Sequence, residues 1–426
     1  MTEELVVLDA FEDGPFRLDT RDRTLEGAVA VRAAQACLPL LEGNALGLQL
    51  RLARPLPLAR PRLGRGVGTD DDFARRHVAA IPRLRAQGLV SEAWASAFAR
   101  GPFHEAGRTW LFTGLLVRAP AGLLLRVTHA GNRRAFDVGV DEVFAHGDDG
   151  LVPLVLGLDT PSKTVLQGEV ATLHLVAPDL PFRTVPLAEA PAVGRAHAEF
   201  YDAAYFAKKK AGAVTRKYRR LLSEEAGDAS EARAELVTID GPVGAIEARR
   251  LRLSMASPRP VEPSSGPAAR VLRFGARLDF QVRWDGQTLS LDWDRPTLDH
   301  GAAGVERAFR ELYGEAFATT HRGALLYLTK YFTPHPTGEP HFFVKPWSFV
   351  RTSPGLSSIV DGAARLGPFD VLRGVISTDR FHATPAVFRV HGPGTFSIRA
   401  GEPLADVVPV PRALLDLRVR PLPFAR

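Results

Sequence analysis

One cysteine, Cys37, and two methionines are all the sulfur in this 426-residue chain. A lone cysteine excludes an intrachain disulfide framework and every cysteine-based zinc cluster. Lysine is scarce too: seven of the 54 basic residues are lysine and the rest are arginine. No apolar run approaches the ~18 residues that a membrane-spanning helix needs. The opening Met1-Thr2-Glu3-Glu4-Leu5 has neither the basic nor the apolar segment of a secretory leader, so the expected location is the cytoplasm. His-Glu-x-x-His, Gly-x-Ser-x-Gly and a Walker loop are all absent. Gly64-Arg65-Gly66-Val67-Gly68 follows a proline-rich stretch rather than a strand and reads as a loop. With 45% hydrophobic and 24% charged residues, what remains has the composition of a globular chain able to bury a sizeable core.

The chain also matches itself. At a shift of 233 positions, Val117-Arg118, Gly122-Leu123, Ala130, Phe136-Asp137-Val138, Gly168-Glu169 and Pro178 fall on Val350-Arg351, Gly355-Leu356, Ala363, Phe369-Asp370-Val371, Gly401-Glu402 and Pro411. Leu48-Gln49-Leu50-Arg51 matches Phe280-Gln281-Val282-Arg283 at a shift one residue shorter. An internal duplication divides the residues into those both copies keep, which serve the fold, and those one copy holds alone, where a function can be placed. On that logic Arg118 with Glu169, and Arg351 with Glu402, are expected as a shared ion bridge or turn contact. His77, His104, His129, His146 and His174 meet no histidine at the shifted position, so two equivalent metal sites are not expected.

Both copies open with an alternating strand, Leu46 to Leu52 and Ala276 to Trp284, followed by a helix. The first helix is led by Thr69-Asp70-Asp71-Asp72, whose side chains can cap its free amides, and the second spans Ala302 to Phe317. Short strands broken by proline and glycine then follow in each copy. The expected fold is mainly β with inserted helices: two homologous β-sandwich or jelly-roll-like domains joined by a basic helix. The expected boundaries are 1–185 for the first repeat, 186–226 for the helix, 227–267 for a connecting segment and linker, and 268–426 for the second repeat.

The basic charge is local. Arg195 to Leu222 holds eight basic and two acidic residues, a net of +6 that equals the formal charge of the whole chain. Phe200, Ala204, Ala207, Ala211, Val214, Tyr218 and Leu221 form one stripe of a single long helix, while Lys208, Lys209, Lys210, Arg216, Lys217, Arg219 and Arg220 supply the charge. Three readings stay open: an interdomain helix with a solvated face, a face for nucleic acid or an acidic surface with aromatics interleaved, and a dimerisation helix giving a homo-oligomer.

Candidate chemistry concentrates in the second repeat. His321, Asp379 and His382 are candidate catalytic residues, an imidazole or carboxylate serving as acid or base. His335, Glu339 and His341, in the loop His335-Pro336-Thr337-Gly338-Glu339-Pro340-His341, are candidate ligands for a divalent metal such as iron, because two neutral imidazoles and a carboxylate suit that ion.

Gly392-Pro393-Gly394 through Gly401-Glu402-Pro403 resembles the late turns of a cupin-type jelly roll, without the cupin metal motif. Cys37-Leu38-Pro39-Leu40, Thr320-His321-Arg322-Gly323, Arg351-Thr352-Ser353-Pro354-Gly355, Ser377-Thr378-Asp379 and Gly401-Glu402-Pro403 resemble, in order, the Cys-Leu-Pro-Leu, Ser-His-Phe-Gly, Arg-Thr-x-x-Gly, Glu-Thr-Asp-Trp and Gly-Glu-Pro motifs of a bacterial family of unknown function. Arg322 and Arg380 stand where that family has Phe and Trp. The resemblance implies a fold unit and no reaction. The functional expectation is a small-molecule enzyme, of the kind that tailors specialised metabolites, with a polar pocket in the second repeat or between repeats. The rival is a non-catalytic binding or assembly protein that uses the duplicated β body and the basic helix.

Overall fold

The computed structural model describes residues 3–20, 37–59, 67–130, 132, 138–159, 163–178, 180–201, 213–223, 232–239, 251–260, 271–334, 341–362 and 369–423. The alternating and short apolar segments become strands, and the chain is mainly β with helices set among several sheets.

In the N-terminal half the elements run β1 (Glu3–Asp9), β2 (Phe16–Thr20), α1 (Leu38–Asn44), β3 (Leu48–Ala59), α2 (Asp71–Ala86), α3 (Glu92–Phe98), β4 (Phe103–Glu105), β5 (Arg108–Arg118), β6 (Leu124–His129), β7 (Gly139–Val140), β8 (Val143–His146), β9 (Val152–Asp159) and β10 (Lys163–Val176). Helix α2 forms where capping predicts it. The Asp70 carboxylate accepts from the Phe73 amide at 2.7 Å, Asp71 and Asp72 complement the dipole at its start, and Arg83 and Arg85 complement it at its end. Its buried face, Phe73, His77, Ala80, Ile81 and Leu84, meets Trp94 and Phe98 of α3 and the strands in one apolar core.

Between the halves lie β11 (Phe182–Pro186), α4 (Pro191–Phe200), α5 (Ala213–Ser223), β12 (Ala234–Thr238) and β13 (Leu251–Arg252). The single helix expected over 195 to 222 is not continuous: α4 ends at Phe200, and Tyr201 leaves the helical region with φ −102° and ψ 47°. The C-terminal half then runs β14 (Leu272–Gly275), β15 (Phe280–Trp284), β16 (Leu289–Trp293), α6 (Arg295–Tyr313), α7 (Glu315–Thr320), α8 (Arg322–Thr329), β17 (Phe332–Pro334), β18 (His341–Val344), β19 (Ser348–Thr352), β20 (Leu356–Gly362), β21 (Phe369–Leu372), β22 (Gly374–Ile376), β23 (Ala386–Val390), β24 (Gly394–Ile398), β25 (Pro403–Pro411) and β26 (Leu417–Leu422). The helix expected over 302 to 317 is cut at Gly314, whose φ of 83° suits glycine and stops the helix. A second large core joins these strands to α4, α5, α6 and α8.

The two halves pair corresponding strands, all antiparallel. β6 lies between β8 and β10, and β20 between β22 and β25; β5 pairs with β9, and β18 with β23. Left-handed backbone recurs at the 233-residue separation: Gly114 and Trp347 have φ 87° and 51°, Gly122 and Gly355 have 73° and 81°, and Gly168 and Gly401 have 68° and 87°. Trp347 is the costly member because it carries a Cβ, and its indole lies on the bare α-carbon of Gly301. The last strand of each half crosses over. β11, following β10, pairs in parallel with β12, which is antiparallel to β19; β26, following β25, pairs in parallel with β1, which is antiparallel to β5. Leu414 and Leu417 thus finish the N-terminal core from the far end of the chain.

Contrary to expectation, among the described residues no ion pair joins Arg118 to Glu169 or Arg351 to Glu402. Glu169 faces Arg51 at 3.8 Å, and Arg351 bonds to Glu235 of β12. What Gly168-Glu169 and Gly401-Glu402 share is the left-handed glycine.

Candidate functional site

The sequence candidates do not assemble as one centre. His321 sits in the turn between α7 and α8 with its ring 4.4 Å from that of Phe317, and among the described residues no hydrogen bond or ion pair joins it to Asp379 or His382. Asp379 is buried, accepts from the Gly355 amide at 3.1 Å and pairs with Arg412 at 2.7 Å. His382 Nδ1 lies 2.8 Å from the Thr378 carbonyl, and burial holds its pKa down. His341 is buried in β18, while His335 and Glu339 lie outside the described residues. Among the described residues no group of three or more His, Cys, Asp or Glu side chains could hold a metal ion.

The basic segment is partly spent on the fold. The Lys217 ammonium donates to the Glu199 and Phe200 carbonyls and lies 5.1 Å from the centre of the Phe200 ring, closing the end of α4. The Tyr218 hydroxyl accepts from the Ser377 amide at 2.9 Å beneath Phe381. Arg219 and Arg220 are exposed; Lys208, Lys209, Lys210 and the Arg216 side chain lie outside the described residues.

The densest chemistry lies instead at the seam where β6 and β10 of the N-terminal half approach β20 and β25 of the C-terminal half. An apolar patch of Leu46, Leu124, Phe144 and Val176 against Ile359, Val375, Val408 and Val410 covers part of that seam. Beside it the strands carry charge. Asp361 and Asp406 are register partners on β20 and β25 and are both fully buried. Asp406 takes a two-pronged pair from Arg273, at 2.8 and 2.9 Å. Asp361 Oδ2 accepts from Arg373 Nε at 2.9 Å and Nη2 at 2.7 Å, and Arg126 Nη1 stands 3.9 Å away. Arg126 also pairs with Glu142.

Arg373 holds both halves at once. Its Nη2 donates to Thr128 Oγ1 at 2.6 Å and to the His129 carbonyl at 3.0 Å, while its own carbonyl accepts from Asn132 Nδ2 at 2.8 Å. His129 is thereby placed with Nε2 3.7 Å from Asp361 Oδ1. Burial works against the Asp361 charge, but Arg373, then His129 and Arg126, outweigh it and hold the carboxyl at about 2. Burial pushes the Asp406 carboxyl up, with Arg273 opposing, and holds His174 beneath them neutral, with Arg126 and Arg373 adding to the effect.

A cleft of about 390 Å³ opens on this network, lined among others by Arg108, Arg126, His129, Asp141, Glu142 and Arg273. His129 is 31% exposed there while Asp361 is at 0%, so the imidazole can meet a ligand and the carboxylate cannot. The Asp141 carboxyl is pushed up by burial against the pull of Arg108. A second cleft of about 400 Å³ is lined among others by Glu42, Ser357, Ser377, Arg412 and Asp416. It holds a charged wall but no imidazole against a buried acid.

Of the seam residues, the sequence comparison singles out His129 and His174, which face Gly362 and Val407 rather than a histidine 233 positions on. The same comparison sets Arg126 against Ile359 and Thr128 against Asp361. Thus the unmatched positions were the signal, and their convergence was not visible.

No family model matches this chain, and no curated protein is similar to it. Among solved structures, the crystal structure of 2'-deoxycytidine 5'-triphosphate deaminase from Agrobacterium tumefaciens shares 10% identity over 86% of this chain and 88% of that one, at a TM-score of 0.26. So shallow a likeness carries no argument about fold or activity.

Proposed function

We propose that this chain is an internally duplicated protein, two homologous β-sandwich units with exchanged last strands, and that it acts as a small-molecule enzyme in the cleft between them. Supporting the duplication are the corresponding strand pairings in the two halves and the recurrence of left-handed backbone at 233 residues. The observation that carries the function is His129, open to the cleft and backed by a fully buried, ionised Asp361 that Arg373 clamps. An imidazole so oriented accepts a proton from a ligand N–H or O–H, and the carboxylate behind it stabilises the imidazolium that forms. Asp361 and Arg373 touch no ligand in this scheme; they are positioning residues.

The test is a metabolite screen by NMR on the full chain, following the His129 ring resonances. Ligands that turn over should shift those resonances, and His129→Gln should abolish turnover with binding retained. Asp361→Asn should lower turnover and move its pH profile. Turnover that survives His129→Gln would remove this reading.

A further inference from the structure

We infer that the cleft receives a small molecule bearing a protonated amine, seated on the wall formed by Asp141, Arg108 and Asp159; this rests on the reading of the cleft as the reaction site. Its guanidiniums are already engaged. Arg126 pairs with Glu142, Arg273 with Asp406, and Arg108 Nε with Asp141 at 3.1 and 3.2 Å. A phosphate or carboxylate ligand would have to displace one of these carboxylates from its arginine, giving up a charge-assisted pair to gain one.

At the Arg108 wall the balance runs the other way. Asp159 reaches the same guanidinium from 3.7 Å, so two carboxylates share one cation. Their mutual repulsion is felt at Asp141, which Asp159 helps push up. Asp159 is 59% exposed at the end of β9, whereas Asp141 is fixed from behind: its amide donates to the Gly157 carbonyl at 2.9 Å. A Cβ at Gly157 would lie 2.5 Å from Asp141 Oδ2 and 2.6 Å from Trp110 Cζ3, so the carboxylate nests on bare backbone beside an indole. Strand pairing holds Asp159 opposite Gly139 of β7, next to the cleft floor. An ammonium placed between the carboxylates supplies the missing charge and donates to both, in a wall where partial exclusion of water strengthens the attraction.

Putrescine, butanediol and succinate have the same four-carbon length and differ in charge, so they test the inference directly. Calorimetric titration of the full chain at fixed ionic strength should show putrescine binding at least roughly tenfold more tightly than butanediol, with succinate weakest. Asp159→Asn should remove most of the preference while leaving the fold intact, because the side chain is largely exposed. Succinate binding as well as putrescine, a preference unchanged in Asp159→Asn, or no binding by any of the three would each overturn the inference. His129 resonances separate it from the reading beneath it. If succinate binds and shifts them, the cleft reading stands and the amine inference falls. If putrescine binds through Asp159 without moving them, the inference stands and the acid–base reading falls.

Discussion

Trp94, Phe98 and Phe112 in the N-terminal core and Arg126, Arg373 and Asp361 at the seam are equally buried, none more than 1% exposed. The first group is held by ring contacts such as Trp94 on Phe98, with centroids 4.6 Å apart. The second is held by directional pairs that must be satisfied one by one. Apolar packing asks for shape, and its cost on truncation grows with the cavity left behind. A buried ion network adds little net stability, because desolvation consumes the attraction, yet removing one partner strands the other. Apolar packing tolerates small shifts of one surface on another, whereas directional ion pairs between the halves, such as Arg373 to Thr128 and the His129 carbonyl, fix their register.

The hardest test of that contrast is at Asp361. Asp361→Ala leaves Arg373 and Arg126 short of a counter-charge and should cost about 3–5 kcal/mol in urea unfolding, comparable with Trp94→Ala in the core. The two sites should part when the network is replaced outright. Asp361→Leu with Arg373→Met and Arg126→Met should restore stability to near that of the native chain, while turnover at His129 is lost. Failure to recover would mean that the network is a source of stability rather than of specificity.

Strand exchange makes a smaller prediction. Leu417, more than 400 residues from its neighbours in β1, is buried in the N-terminal core. Leu417→Ala should cost about 2–5 kcal/mol, and amide exchange should quicken in β1 and β5 rather than in β25.

Acid separates the regions by pH. His77, buried among Phe11, Phe73 and Phe112, is held neutral by burial with its pKa near 4 against an ordinary 6.5. The unfolded chain takes up a proton that the folded chain refuses, so stability falls as pH drops from 6.5 toward 4. Asp361 is depressed to about 2, and its contribution is complete above the ordinary carboxylate range and lost as pH falls through about 2. His77→Phe should lessen the first decline, to which the buried His174, His197 and His382 also contribute, and leave the second in place, as read from urea midpoints across pH. At the small end, Arg219→Ala, on an exposed face of α5, should change stability by less than about 0.5 kcal/mol.

Local pattern carried the elements a long way. Asp70 before a run of apolar residues at helical spacing foretold α2, and Ala386 to Val390 is a strand from end to end, as expected. Helix ends were read less well because the stops were single residues: Gly314 with its left-handed φ, and Tyr201 at the end of α4. Lys217 and Tyr218 read as a free basic and aromatic face, since nothing local shows that one closes α4 and the other binds the Ser377 amide. Asp379, a catalytic candidate on sequence, binds the Gly355 amide and Arg412, and the latter lies 33 residues on where no local pattern points to it.

By itself the sequence determined the class of structure, the residues able to line a core, and the 233-residue correspondence. These follow from period, turn chemistry and identity, which act over short stretches or can be counted along the chain. Only the tertiary structure decided that β11 and β26 change sides, and that His129, Arg126, Arg373 and Asp361 meet. A charge can be buried only where a partner meets it, and Arg126 and Asp361 approach each other from positions more than 200 residues apart on the two halves of the molecule.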